Sequence, residues 1–171
     1  MIVFYIQFST KKYFFTFESS YNCTILNHTI KQIAAQDTYK VRQPVLREGK
    51  PIESCIFAND DLKTTIHLGL FSNEKLVGVA SFLKNKNDLI LESGQYQLRG
   101  MAILKAFQGK GLGKLILEHA ESELKKTQTK ILWCNARETA INFYKKCNYQ
   151  IIGQPFNIES VGTHYVMYKK L

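Results

Sequence analysis

The spacing of apolar residues changes character along the chain. Residues 21–26 alternate as a strand does, and Thr29 is placed to cap a helix running to about Arg42. Pro44 and Pro51 bracket an expected loop, and residues 53–63 are polar and irregular. Residues 67–71 and 76–83 are β-branched and apolar, joined by Ser72-Asn73-Glu74-Lys75, the pattern of a hairpin. Residues 96–104 read as a further strand. After Gly113 the period lengthens: Leu112, Leu115, Ile116, Ala120 and Leu124 fall on one helical face. Residues 130–134 form a short apolar run that suits a buried strand. Ala140, Phe143, Tyr144 and Cys147 then stand at i, i+3, i+4 and i+7, and residues 149–153 and 164–169 close the chain as strands. This order predicts an α/β domain on one central sheet.

The start of the chain does not follow that scheme. Seven aromatic residues (Phe4, Tyr5, Phe8, Tyr13, Phe14, Phe15 and Phe17) precede residue 18. Residues 1–20 read either as a β-hairpin turning near residues 9–12 or as an appendage to a domain over 21–171. So apolar a segment is expected to pack on the domain or on a second copy, which makes a homodimer the expected assembly.

Composition adds limits. The 171 residues suit one domain, and 45% hydrophobic with 22% charged residues excludes a disordered, collagenous or coiled-coil chain. The net charge of +9 favours an anionic partner, yet the basic residues come in scattered doublets such as Lys125-Lys126 and Lys169-Lys170. With no nucleic-acid motif, solvated surface is the simpler account and no nucleic acid is expected. No apolar run reaches the roughly 20 residues of a membrane span, so no membrane partner is expected. The four cysteines, Cys23, Cys55, Cys134 and Cys147, form no C-x-x-C pair and have no histidine at ligand spacing. No metal is expected, and reduced, buried cysteines fit a cytoplasmic protein.

The candidate chemistry lies at Gln108-Gly109-Lys110-Gly111-Leu112-Gly113-Lys114, between a strand and a helix. Alternating glycines let a backbone turn tightly and approach a ligand, and the free N–H groups of the helix start favour phosphate. Lys110 and Lys114 add charge of the right sign. A nucleotide-triphosphate loop would need glycine where Gln108 stands and Ser or Thr where Leu115 stands; the dinucleotide fingerprint fails at Lys114.

Gln108-x-x-Gly111-x-Gly113 resembles the Q/R-x-x-G-x-G/A loop of the GCN5-related N-acetyltransferases (GNAT), which holds the pyrophosphate of acetyl-coenzyme A. Leu98-Arg99-Gly100-Met101-Ala102-Ile103 resembles the preceding family strand. Asn135-Ala136-Arg137, Ala140, Phe143-Tyr144-x-Lys146 and Asn148-Tyr149 resemble the family run that follows, with Asn148 where glycine is usual. The resemblance covers residues 21 to the end and is strongest over 98–153. It implies a GNAT-type domain: a central mixed, mostly antiparallel sheet flanked by helices, here with an aromatic N-terminal extension. It also implies acetyl-coenzyme A as co-substrate, bound by the backbone of Met101, Ala102 and Ile103, by Gln108 through Lys114, and by Asn135. Asn135 serves equally as a turn or cap residue. Tyr144 resembles the general acid that protonates the departing thiolate, the other reading being a core tyrosine on the helix stripe.

The implied activity is direct transfer of an acetyl group to a primary amine of a small molecule or peptide. The alternative is a non-catalytic module of the same fold that holds acyl-coenzyme A or nucleic acid. Glu53, Asp60, His67, Glu92 and His164 are candidates for the base, and none is singled out. Arg42, Arg47 and Arg99 either meet an acidic substrate or pair with Asp60 and Asp61.

Overall fold

The computed structural model describes residues 26–159 and 161–171, together with the backbone at 5–8 and 11–14. Strands β3 (Leu26–Gln32), β4 (Ile66–Ser72), β5 (Lys75–Lys84), β6 (Gln95–Ile103), β7 (Ile131–Arg137), β8 (Gln150–Ile158) and β9 (Gly162–Lys170) form one sheet in the order β3-β4-β5-β6-β7-β9-β8. All neighbours are antiparallel except β6 and β7. The hairpin over residues 72–75 and the late strands are where the sequence places them. Backbone strands β1 (Tyr5–Phe8) and β2 (Lys11–Phe14) pair with each other, and β2 lies along β3. The rest of the aromatic segment, the start of the strand expected at 21–26, and the expected dimer contact lie outside the described residues.

One helix is not where the sequence puts it. Thr29 caps nothing; it sits inside β3, paired with Phe71 of β4. The helix begins only after a 3-10 turn at Ala35–Thr38 and runs as α1 over Tyr39–Leu46, with Pro44 inside it. Pro44 lacks the N–H that would reach the Lys40 carbonyl, but both residues are on the exposed side, where water can take that carbonyl. Tertiary pairing with β4 overrides the local cap signal.

The two faces of the sheet have separate cores. On one face, α2 (Leu112–Lys125) buries Leu112, Ile116, Leu117, Ala120 and Leu124 against Leu70, Phe82, Leu98 and Leu132, and α3 (Ile141–Lys146) adds Tyr144. On the other face, Val41 of α1 packs on Val79 and Ala102. Farther along that face, Ile90 from the loop before β6 covers Ile131, Trp133 and Val166.

Asn148 closes α3. Its φ is +67°, and the amide of Tyr149 donates to the Tyr144 carbonyl at 3.0 Å, the six-residue bond of a Schellman end. Asn148→Ala is expected to cost about 1–2 kcal/mol, because alanine loses the left-handed tolerance of asparagine. Asn148→Gly should be neutral or stabilising, and urea unfolding of both variants checks the pair.

Candidate active site

The parallel ladder between β6 and β7 holds from Gln95↔Ile131 to Leu98↔Cys134 and then stops. Beyond it, residues 99–103 pair only with β5, and residues 135–137 only with β9. The strands therefore part, leaving one main-chain edge of 99–103 without a strand partner. A β-bulge accompanies the parting: Gly100 and Met101 together oppose Ala80, and Gly100 has φ +60°. A side chain at Gly100 would bring its Cβ within 2.7 Å of Arg42 Nε, so the bulge needs glycine for conformation and for space. The extra residue shifts the strand alternation. Met101 and Ile103 join the α2 core, while Ala102 joins the α1 core.

The glycine loop follows directly. Gln108 Nε2 donates to the Ile103 carbonyl at 2.8 Å, tying the loop to the end of β6. Gly109 (φ +75°) and Gly111 (φ +76°) are left-handed, with open space where a Cβ would lie. Gly111 is the N-cap of α2 and no side chain caps the helix, so its first N–H groups have no carbonyl within the helix. Gly113 serves packing instead: a Cβ there would stand 3.1 Å from Met101 Cε and 3.2 Å from the Phe143 ring. Leu112 buries its side chain in the core and can offer only main chain. Lys110 lies over the Phe107 ring at 5.3 Å, and Lys114 is 3.7 Å from Glu118 on the exposed helix surface. A cradle of positive-φ glycines with free amides and flanking lysines fits a pyrophosphate.

Tyr144 reaches the parting strands from α3. Its ring is buried, edge-on to Phe143 and Tyr149 at 5.1 and 5.4 Å, and its hydroxyl faces Met101 Sδ at 3.8 Å. Burial first, and then the neighbouring Cys134 and Cys147, push its pKa well above that of a free phenol. The group is held protonated, as a donor must be. Burial likewise pushes the Cys134 thiol far up, against a smaller opposing hydrogen bond from Tyr144, so Cys134 is no nucleophile.

Met101, Ile103, the glycine loop and Tyr144 are thus brought together on the α2 side, while the Ala102 side chain faces α1. Asn135 differs. It lies within β7 rather than at its end, and its side chain is exposed on the α1 face, since Ala136 beside it enters the α2 core.

Most of the candidate bases are committed elsewhere. His67 Nε2 donates to the Asp60 carbonyl at 2.7 Å, and its Nδ1 is 2.6 Å from Ser81 Oγ. Asp60 is held by Arg42 and Arg99. Glu92 pairs with Lys170 at 2.5 Å, Glu53 is exposed on a 3-10 turn, and Asp61 is also exposed. His164 lies across from Arg137, its Nδ1 2.7 Å from the Gly162 carbonyl. Arg137, quoted above only as part of a motif, stands at the mouth of the opening; the strand alternation could have flagged it. Among the described residues no group of three or more His, Cys, Asp or Glu could hold a metal, and no helix is long and apolar enough to cross a membrane.

The site is thus a mixed sheet whose parallel pair parts beside a glycine-capped helix. The profile of the Acetyltransferase (GNAT) family matches residues 28–149, and the chain belongs to that family. It is 37% identical over 142 residues to the uncharacterized N-acetyltransferase YitI of Bacillus subtilis (strain 168), covering 83% of this chain and 95% of that protein. The fold is shared with the ribosomal-protein-S18-alanine N-acetyltransferase of Escherichia coli, at a TM-score of 0.66 and 20% identity over 84% of this chain and 93% of the other. It is shared also with a GNAT family acetyltransferase of Elizabethkingia anophelis crystallised with acetyl-CoA bound, at a TM-score of 0.61 and 14% identity over 84% and 98%. This chain is an acetyltransferase.

Proposed function

We propose that the protein transfers the acetyl group of acetyl-coenzyme A directly to a primary amine. The open edge of β6 at 99–103, running into the glycine loop, carries this reading. It offers unpaired main-chain groups for an extended pantetheine arm and free amides for the pyrophosphate beside them. The residues assigned to the coenzyme are Met101, Ala102 and Ile103 through their backbone, and Gln108, Gly109, Lys110, Gly111, Leu112, Gly113 and Lys114 at the loop. Asn135 lies at the edge of the opening, on the α1 side. A main-chain N–H of the β6 edge is suited to the negative oxygen that develops on the thioester carbonyl. The neutral amine nitrogen bonds to that carbonyl carbon and the carbon–sulfur bond breaks. The amine gives up one proton to solvent or base, the coenzyme A thiolate takes one from the Tyr144 hydroxyl, and the phenolate regains a proton from solvent before the next turnover.

Acetyl-coenzyme A at a hundredfold excess over its dissociation constant should stabilise the fold by about 2.7 kcal/mol, or roughly 5–11 °C for a domain of this size. Gly111→Asp should remove most of that shift. No protein atom blocks a side chain there, and aspartate is among the residues that tolerate the left-handed φ of +76° at a cost of about 1–2 kcal/mol. The variant is therefore expected to fold with some loss of stability, while its carboxylate projects into the space assigned to phosphate. A full shift in the variant would place the coenzyme elsewhere. Release of free thiol with an amine panel tests the transfer itself.

A further inference from the structure

The α1 side of the opening holds more guanidinium groups than its carboxylates match. Arg47, the C-cap of α1, donates from Nη1 to the Leu46 carbonyl at 3.0 Å and from Nε to the Ser54 carbonyl at 3.1 Å. Arg137, at the end of β7, reaches the same Leu46 carbonyl with Nη2 at 3.5 Å. Two cations thus crowd one neutral oxygen, and among the described residues neither forms an ion pair. Of the carboxylates nearby, Asp60 is taken by Arg42 and Arg99 and Glu48 by Lys105 at 2.9 Å, while Glu53 and Glu138 are exposed and pair with neither arginine. Phe57 gathers the charge further, with Arg42, Arg47 and Arg99 at 4.3, 5.2 and 5.6 Å from its ring centre. Burial, and after it the charge of Arg47, lower the pKa of Arg137, which still stays cationic near neutrality.

The position gives this charge a use. α1 lies on the face opposite α2, and Arg137 stands where β7 has left β6. With the coenzyme assigned to the α2 side, the acceptor has the α1 side from which to approach the parting strands. Guanidinium forks match carboxylate and phosphate oxygens, and a pair of them already held close is preorganised for an anion.

We propose that Arg47 and Arg137 bind an anionic group on the acceptor, a carboxylate or a phosphate, so that the preferred substrates are negatively charged amines. This rests on the acetyltransferase reading above and adds the substrate class to it. Simple amines and polycationic amines are then poor acceptors, because the arginine pair repels or ignores them.

Matched twins test it: an amino acid against its carboxamide, and 2-aminoethyl phosphate against ethanolamine. Each is titrated calorimetrically into the full chain with and without saturating coenzyme A. The anionic member of at least one pair is expected to bind about tenfold or more tightly than its twin. The pair that shows the gap tells carboxylate from phosphate. Arg137→Gln and Arg47→Gln should each close the gap to about twofold, and Arg137→Lys should keep part of it, since charge survives without the fork. Twins that bind alike in the unmodified protein would overturn the proposal. A gap that persists in both glutamine variants would overturn it too, as would a lowered melting temperature with the gap intact, which makes these arginines helix-end caps only. The acetyltransferase reading fails by different signs, namely no thermal shift with acetyl-coenzyme A and no thiol release; the twin comparison without coenzyme A is decided separately.

Discussion

Asp60→Ala is expected to destabilise the protein by about 3–5 kcal/mol, the usual cost of breaking a buried ion pair from one side. Arg42 is fully buried and the Asp60 side chain is 3% exposed. The carboxylate accepts from Arg42 through Oδ2, from Arg99 Nη2 at 3.0 Å through Oδ1, and from the Phe57 amide at 3.2 Å. Arg42 also donates to Ser81 Oγ at 2.7 Å and to the Cys55 carbonyl at 2.9 Å, but neither carries charge, and its Nε has no partner. Removing the carboxylate leaves a buried cation against neutral acceptors only. Asp60→Asn, which keeps the volume and one acceptor, should lose less. The pH dependence has a definite sign. Burial alone would raise the Asp60 pKa, but Arg42 by hydrogen bond and charge, then the Phe57 amide and Arg99, outweigh it and hold the carboxyl below its ordinary value. The unfolded chain therefore binds its proton first, so this stability is fully present above the ordinary carboxyl range and is lost as pH falls through the lower, folded value. Urea unfolding from neutral pH into acid should show a shallower loss in Asp60→Ala than in the unmodified protein. Equal slopes would mean that Asp60 contributes nothing to the acid sensitivity.

That network also marks the limit of what the sequence discloses. Asp60 lies 18 and 39 residues from Arg42 and Arg99, and only the packing of α1 on β5 and β6 joins them. From sequence, pairing with Asp60 and contact with an acidic substrate were equally open for these arginines. The structure divides them, with Arg42 and Arg99 paired and Arg47 left over. The glycine loop was legible because its chemistry is local: left-handed Gly109 and Gly111 need no partner beyond the next helix. Asn148 was legible for the same reason, as a residue type that tolerates positive φ. Thr29 misled because a capping residue with β-branched and apolar neighbours fits a strand equally well, and β4 decides between them. Pro44 misled because exposure relieves a proline inside a helix, and exposure is a tertiary property. The bulge at Gly100 had one local signal, a glycine inside a strand pattern, but its partners, Arg42 packed against it and Ala80 across from it, are brought there only by the fold.

Tyr144→Phe should lower turnover by roughly 10²–10⁴-fold if proton donation to the thiolate matters in the transition state. The phenol is suited to the task. It points at Met101 on the unpaired edge of β6, beside the space assigned to the thioester; burial keeps the proton on the phenol but also makes it a weaker acid, so its suitability rests on this position. The hydroxyl has little structural work to lose. Its partners are sulfurs, the Met101 thioether and the Cys134 thiol, both weak hydrogen-bonding groups, while the ring contacts with Phe143 and Tyr149 and the main-chain bond from Tyr149 all survive in phenylalanine. The melting temperature should therefore hold, and so should the thermal shift with acetyl-coenzyme A, since the strand edge and the loop supply that contact. The three measurements belong on one preparation of the variant. A fall in turnover below about tenfold would mean that water protonates the thiolate well enough unaided. A drop in melting temperature together with a lost coenzyme shift would make Tyr144 a core residue of α3 and return the proton to another donor.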